Sequence, residues 1–229
     1  MRGKFLFLCW VFTSLFTFNA ISAQESIDSL LTLSKQTSGK EKIDILNQLA
    51  IKYRLKSLPK SIDYAEEAWS LSEKEDYNFG KGEAHKIIGI AFYLQGEFTQ
   101  AMEQYEKSYR YFINLGDLAK VSAILNNRAI IWVSQGEYSR ALDEYEQSAE
   151  INIDLKLYES VAKIYNNIGM VYSKLGDTDK TLDYYYKSLE LSKKYNNKIG
   201  KAAAYNNIAL VQKSLGRYDM AIEYYQLAI

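Results

Sequence analysis

The sequence predicts an all-α protein, a solenoid of stacked antiparallel helix pairs, on three observations. Gly96, Gly136, Gly176 and Gly216 stand 40 residues apart, each inside a nearly identical phrase: GIAFYLQGEFTQAM, AIIWVSQGEYSRAL, GMVYSKLGDTDKTL and ALVQKSLGRYDMAI. Apolar residues recur at three- and four-residue steps on both sides of each glycine, a helical period twice over. Proline occurs once in 229 residues, at Pro59, which suits a chain that is almost all helix. A period in this range marks units too small to bury an apolar face alone, so they stack into one continuous core.

The first 23 residues form a separate object. Arg2 and Lys4 precede an apolar run from Phe5 to Phe18, and the small residues of Asn19-Ala20-Ile21-Ser22-Ala23 follow. That order predicts a secretory signal peptide over 1–23, cut between Ala23 and Gln24. An uncleaved anchor is the alternative, although the run falls short of the roughly 20 apolar residues a spanning helix needs. Export to a periplasmic or other extracytoplasmic compartment follows. The single cysteine, Cys9, lies in this segment, so the mature chain has no disulfide and depends on packing.

The remaining chain, 24–229, divides into a leading helix and five units. Ile27, Leu30, Leu31 and Leu33 predict the leading helix over 25–36, covering one end of the array. The first unit, about 41–77, carries Asn47-Gln48-Leu49-Ala50 in its first helix and Ser61-Ile62 with Ala68 in its second. Its loop, Lys56-Ser57-Leu58-Pro59-Lys60, lacks the glycine. Gly80-Lys81-Gly82 reads as the turn into the second unit, 81–116. In the third unit, 121–156, Val121, Ile124, Leu125, Ala129, Trp132 and Val133 make one stripe, and Tyr138, Ala141, Leu142, Tyr145 and Ala149 the other. The fourth unit spans 161–196. The fifth, 201–229, stops while its sister sequences still have residues to run, so it reads as truncated.

Small residues set how closely the helices approach. Gly89, Ala129, Gly169 and Ala209 share one position, and Ala101, Ala141, Thr181 and Ala221 share another. Ser108, Ser148, Ser188 and Ala228 lie seven residues beyond the latter, with Tyr105, Tyr145, Tyr185 and Tyr225 filling the space beside them. This pattern, with an aromatic at Phe92, Trp132 or Tyr172, resembles the tetratricopeptide repeat. The usual period of that family is 34 residues, so the longer unit resembles those of kinesin light chain and of bacterial regulatory and sensor proteins. The resemblance covers about 200 residues. It implies a right-handed α-solenoid whose first helices line a concave groove that binds proteins or extended peptides.

Candidate chemistry is sparse. The single histidine, His85, occupies the position of Leu125, Tyr165 and Tyr205, which is a packing position. Neither a zinc site of the common type nor a phosphate-cradling glycine loop is legible, so no enzyme activity, metal or cofactor is expected. With 28 basic and 28 acidic residues and no basic block, nucleic acid is not an expected partner. The Tyr-rich phrases at 184–186 and 224–225 read as core filling.

The informative feature is a ladder of paired amides: Asn126-Asn127, Asn166-Asn167 and Asn206-Asn207. Asparagine is mildly unfavourable inside a helix, so three repeated pairs require a reason. An amide both donates and accepts, which suits it to holding the backbone of an extended peptide. The alternative role is to tie one unit to the next, an open choice for Asn127, Asn167 and Asn207, with binding favoured for Asn126, Asn166 and Asn206. Lys86, Lys163, Met170 and Lys213 complete the candidate groove, beside Ile90, Tyr93, Ile130, Val133, Ser173 and Leu210. The family's clamp for a chain-terminal carboxylate is matched at Lys86, Asn127 and Lys163 but not at Ile90 or Asn167, so that ligand is not expected.

Two functions fit. One is the sensor region of a larger membrane signalling protein, joined to the membrane by an uncleaved signal or a segment beyond Ile229. The other is a free periplasmic or secreted scaffold for envelope protein assembly.

Overall fold

A computed structural model describes residues 26–229. The expected signal peptide over 1–23, with Cys9, lies outside the described residues. Those residues form eleven α-helices and no strand: α1 (Ile27–Gln36), α2 (Gly39–Tyr53), α3 (Leu58–Lys74), α4 (Asn78–Gln95), α5 (Phe98–Leu115), α6 (Leu118–Gln135), α7 (Tyr138–Asp154), α8 (Tyr158–Leu175), α9 (Thr178–Lys194), α10 (Lys198–Ser214) and α11 (Tyr218–Leu227). After α1 the helices pack as consecutive hairpins, α2 with α3 through to α10 with α11, and each hairpin packs on the next. The first helices approach one another at α2–α4, α4–α6 and α8–α10, whereas second helices make no comparable approach. The row of first helices is therefore the inner, concave side of the all-α solenoid.

The long period has a simple origin. From α4 to α10 every helix has 17 or 18 residues. Two such helices with two short turns fill 40 positions without the proline that would stop them earlier. Starts are marked by side chains that accept orphan amide protons: Asp117 from Lys120, Asp177 from Lys180 and Asn197 from Gly200.

The second, third and fourth units each have two left-handed turns. Gly96, Gly136, Gly176 and Gly216 all adopt φ between 73° and 79° at the turn inside the hairpin. Around Gly136 the amide of Glu137 reaches back to the Trp132 carbonyl at 2.9 Å and that of Gly136 to Val133 at 3.2 Å, closing the helix end. The turn between hairpins repeats the same bonds, but Asp76, Lys156 and Asn196 hold positive φ there at 44°, 57° and 53°, and only Gly116 is glycine.

Gly80 and Gly82 correct the reading of Gly80-Lys81-Gly82 as a turn. Both lie inside α4 and are buried. A Cβ on Gly80 would stand 2.5 Å from Ser72 Oγ and 2.6 Å from Ile43 Cγ2, and one on Gly82 would stand 2.9 Å from the Phe112 ring. These glycines permit close helix approach and do not reverse the chain. Leu58, Pro59 and Lys60 likewise belong to α3, not to the preceding loop; proline is tolerated in the first turn because its missing N–H has no helical partner there.

The core repeats with the sequence. Tyr105, Tyr145 and Tyr185 are buried across from Gly89, Ala129 and Gly169. A Cβ on Gly89 or Gly169 would lie 2.8 Å or 2.7 Å from the ring it faces. Burial pushes the Tyr105 and Tyr145 hydroxyls well above the usual tyrosine range. Ser108 and Ser148 donate to the Gly82 and Ser122 carbonyls of the partner helix at 2.7 Å and 2.9 Å, so buried hydroxyls stitch the hairpins without a polar penalty.

Candidate functional site

Lys86, Asn126, Asn166 and Asn206 occupy one register on α4, α6, α8 and α10, the inner row. Two clefts run along this row. The first, of about 390 Å³, is walled by Lys86, Lys120, Asn126, Asn127, Asn152 and Lys163, among others. The second, of about 550 Å³, includes Lys163, Asn166, Asn167 and Asn197. Ser160 and Lys163 belong to both, so the clefts adjoin along α8. Met170 and Lys213 are exposed outside the clefts, Asn206 is exposed on α10, and Asn207 is half-buried behind it. Ile90, Tyr93, Ile130 and Val133 are half-buried and pack against the core clusters instead of standing free on the wall.

The amides form a bonded ladder. Asn167 Nδ2 donates to Asn126 Oδ1 at 3.0 Å, and Asn207 Nδ2 donates to Asn166 Oδ1 at 2.8 Å. Each rung joins the second asparagine of one unit to the first asparagine of the unit before. The tie falls on both members of the pair, not only on the second. Asn126 spends its Oδ1 on the rung, which leaves its Nδ2 as a donor at the cleft wall.

A charged group missing from the sequence reading sits behind the first cleft. Glu83 of α4 meets Lys86 Nζ at 2.7 Å and Lys120 Nζ of α6 at 3.0 Å. Burial pushes the Glu83 carboxyl up, but the two ammonium groups outweigh it and hold the group below the usual carboxylate range. Lys86 moves down from the usual lysine range, because burial and the repulsion of Lys120 exceed the attraction of one carboxylate. Lys163 is exposed and pairs with no carboxylate among the described residues. The sequence signal was available: Glu83 stands where sister units have Ala123, Lys163 and Ala203.

On the wall of the first cleft a small polar knot of Ser122, Ser148 and Asn152 is self-satisfied. Asn152 Nδ2 donates to the Ser148 carbonyl at 2.8 Å and to Ser122 Oγ, while the two serine hydroxyls meet at 2.8 Å.

On the outer side His85 is 7% exposed, stacked on Tyr111 with ring centroids 5.9 Å apart and bonded through Nδ1 to Gln104 Oε1 at 2.8 Å. Burial pushes its pKa down, so the neutral ring is favoured. This is a packed imidazole at the position of Leu125, as the sequence suggests.

Residues 160–229 match the profile of the tetratricopeptide repeat. Comparison with the curated proteins gives no match. Among solved structures, BtubC (BKLC) from P. vanneervenii is similar at a TM-score of 0.72 with 19% identity, over 90% of this chain and 87% of that one. A Rap protein complexed with competence and sporulation factor is similar at 0.75 and 17%, over 88% of this chain and 57% of that one. A signal transduction ATPase from Pyrococcus horikoshii with a tetratricopeptide repeat sensor gives 0.74 and 16%, over 88% of this chain and 33% of that one. At these identities the likeness shows the fold, and this chain spans little more than half of the Rap protein and a third of the ATPase.

Proposed function

Proceeding from a chain of tetratricopeptide repeats, we propose that it is an exported scaffold that holds an extended peptide or protein segment along its inner row, as the sensor region of a larger membrane signalling protein. The repeat scaffold itself serves protein interaction and is of a kind that is typically non-catalytic. The observation that carries the groove is the pair of adjoining clefts that share Ser160 and Lys163. Two clefts end to end fit a strand-like guest better than a compact ligand. Amide donors on the wall suit its backbone, which offers a carbonyl at every residue. Export is supported by the basic-apolar-small order of residues 1–23. A sensory role is supported by the Rap protein, solved with a signalling factor, and by the repeat sensor of the ATPase.

The test is site-specific photocrosslinking in the native envelope. A crosslinker at Ser160 or Met170 should capture a discrete partner, and one at Lys107 on the outer side should not. Equal capture from both faces would remove the groove from the proposal. Sequencing the N-terminus of the envelope-associated protein should give a chain starting at Gln24. The reading frame beyond Ile229 separates sensor from free scaffold: an apolar run of about 20 residues and an output domain support the sensor, and an immediate stop supports the scaffold.

A further inference from the structure

The geometry points to an acidic side chain as the feature of the guest that this groove reads: a segment lying through both clefts would set an Asp or Glu carboxylate among Lys86, Lys120 and Lys163. The inference rests on the reading of the inner row as a peptide groove and adds the chemistry of the occupant.

Three lysines wall the first cleft, and the one carboxylate paired with any of them among the described residues is Glu83, shared between Lys86 at 2.7 Å and Lys120 at 3.0 Å. The cleft therefore keeps two unmatched positive charges. The next acid along the row, Glu159, lines the second cleft and forms no ion pair with Lys163. A second carboxylate entering from the groove would meet ammonium groups with their remaining N–H donors free. The lowered pKa of Lys86 agrees with this, because one carboxylate does not offset its burial and the nearby Lys120.

Side chains of Lys86 and Lys120 are 14% and 33% exposed, so they present their ends at the cleft wall instead of waving in solvent. Ion pairs made by such half-sequestered groups are less screened than surface ones and lose less side-chain freedom on binding.

The continuity of the two clefts selects a side chain over a chain end. The first cleft opens into the second at Ser160 and Lys163, so a guest passes Lys163 and continues. Asn167, which a chain-end clamp would replace with a base, is committed to the rung with Asn126.

The test is selection of random segments displayed between flanking linkers, with no free carboxyl terminus, on the mature protein. Enriched segments should share an Asp or Glu. Lys163→Gln should weaken them about fivefold, the equivalent of one modest ion pair, with unchanged circular dichroism. Converting the shared acid to its amide should weaken binding equally, and the two changes together should cost no more than either alone. Lys107→Gln, on the outer side, should leave affinity unchanged. Binding segments that lack an acid, or that Lys163→Gln holds as well as the parent does, would overturn the inference while the groove stands. Enrichment of no segment at all would overturn the groove and the inference together.

Discussion

Asn167 donates its side-chain amide to the side-chain carbonyl of Asn126, 41 positions upstream, at 3.0 Å. The repeat is 40 residues long, so the bond advances by one residue relative to the period. That offset explains why the asparagines come in adjacent pairs. Asn167 gives to the unit before, while its neighbour Asn166 accepts from Asn207 of the unit after. A single asparagine per unit could not do both from one face of the helix. The ladder is thus a register device on the inner wall.

Removing rung acceptors and removing an unbonded amide should differ. Asn126→Ala or Asn166→Ala strands the partner amide in a partly buried site, at a cost of about 1 kcal/mol each. Asn206→Ala, exposed on α10, should be neutral within about 0.5 kcal/mol. Thermal melting of the three single variants checks the split. Equal melting temperatures would show that the rungs carry no stability.

Turn chemistry gives a pair of opposite predictions. A Cβ on Gly136 would meet nothing within 4 Å, so Gly136→Ala is opposed only by its φ of 79° and should cost about 1 kcal/mol. Lys156 already pays that strain at φ 57°. Lys156→Gly should therefore stabilise the protein by about 0.5–1 kcal/mol, read as a rise in melting temperature and in urea midpoint.

The same two turns show what the sequence could and could not reveal. The hairpin turn was legible because four glycines mark it. The turn between hairpins was placed by the period alone; its left-handed conformation was not legible, because Asp76, Lys156 and Asn196 adopt the backbone that usually marks a glycine. Gly80 and Gly82 misled in the other direction: glycine signals a reversal and a close helix crossing with the same letter, and only the position of Ser72 and Phe112 distinguishes them. The asparagine pairs announced themselves by their cost, but the rungs depend on a one-residue offset between helices. Glu83 and Lys120, in different units, had no periodic signal to join them.

Glu83 should make stability depend on acid pH. Its folded carboxyl lies below the unfolded value of 4.5 because Lys86 and Lys120 outweigh the cost of burial. A depressed acid contributes stability that is complete above the unfolded pKa and disappears as pH falls through the folded one. Glu83→Gln should therefore cost about 1–3 kcal/mol near neutral pH, where it strands two ammonium groups. The melting difference between the parent and Glu83→Gln should shrink as the pH falls below the unfolded value of 4.5 and through the lower folded one. A difference that stays constant through that range would show that the carboxylate is not what Lys86 and Lys120 hold.

The crossing at Gly169 predicts a threshold of size. An added Cβ would lie 2.7 Å from the Tyr185 ring and 3.3 Å from the Thr181 carbonyl, so something must move. Sister units show that a methyl group can be housed, because Ala129 sits across from a fully buried Tyr145. For Gly169→Ala the gain of about 1 kcal/mol in helix propensity opposes the cost of shifting one ring, and the net change should stay within about 1 kcal/mol. Gly169→Leu has no such precedent at this position in any unit. Its branches would need the space of Tyr185, which is buried between Gly169 of α8 and the cluster of Ala204, Tyr205 and Ile208 on α10. Overpacking of that kind costs about 1–3 kcal/mol or more, and because units are coupled mainly to their neighbours the loss should begin locally. Hydrogen exchange should then rise first in α8 and α9, with α2 and α3 still protected. Uniform loss of protection along the chain would show that the array unfolds as one block.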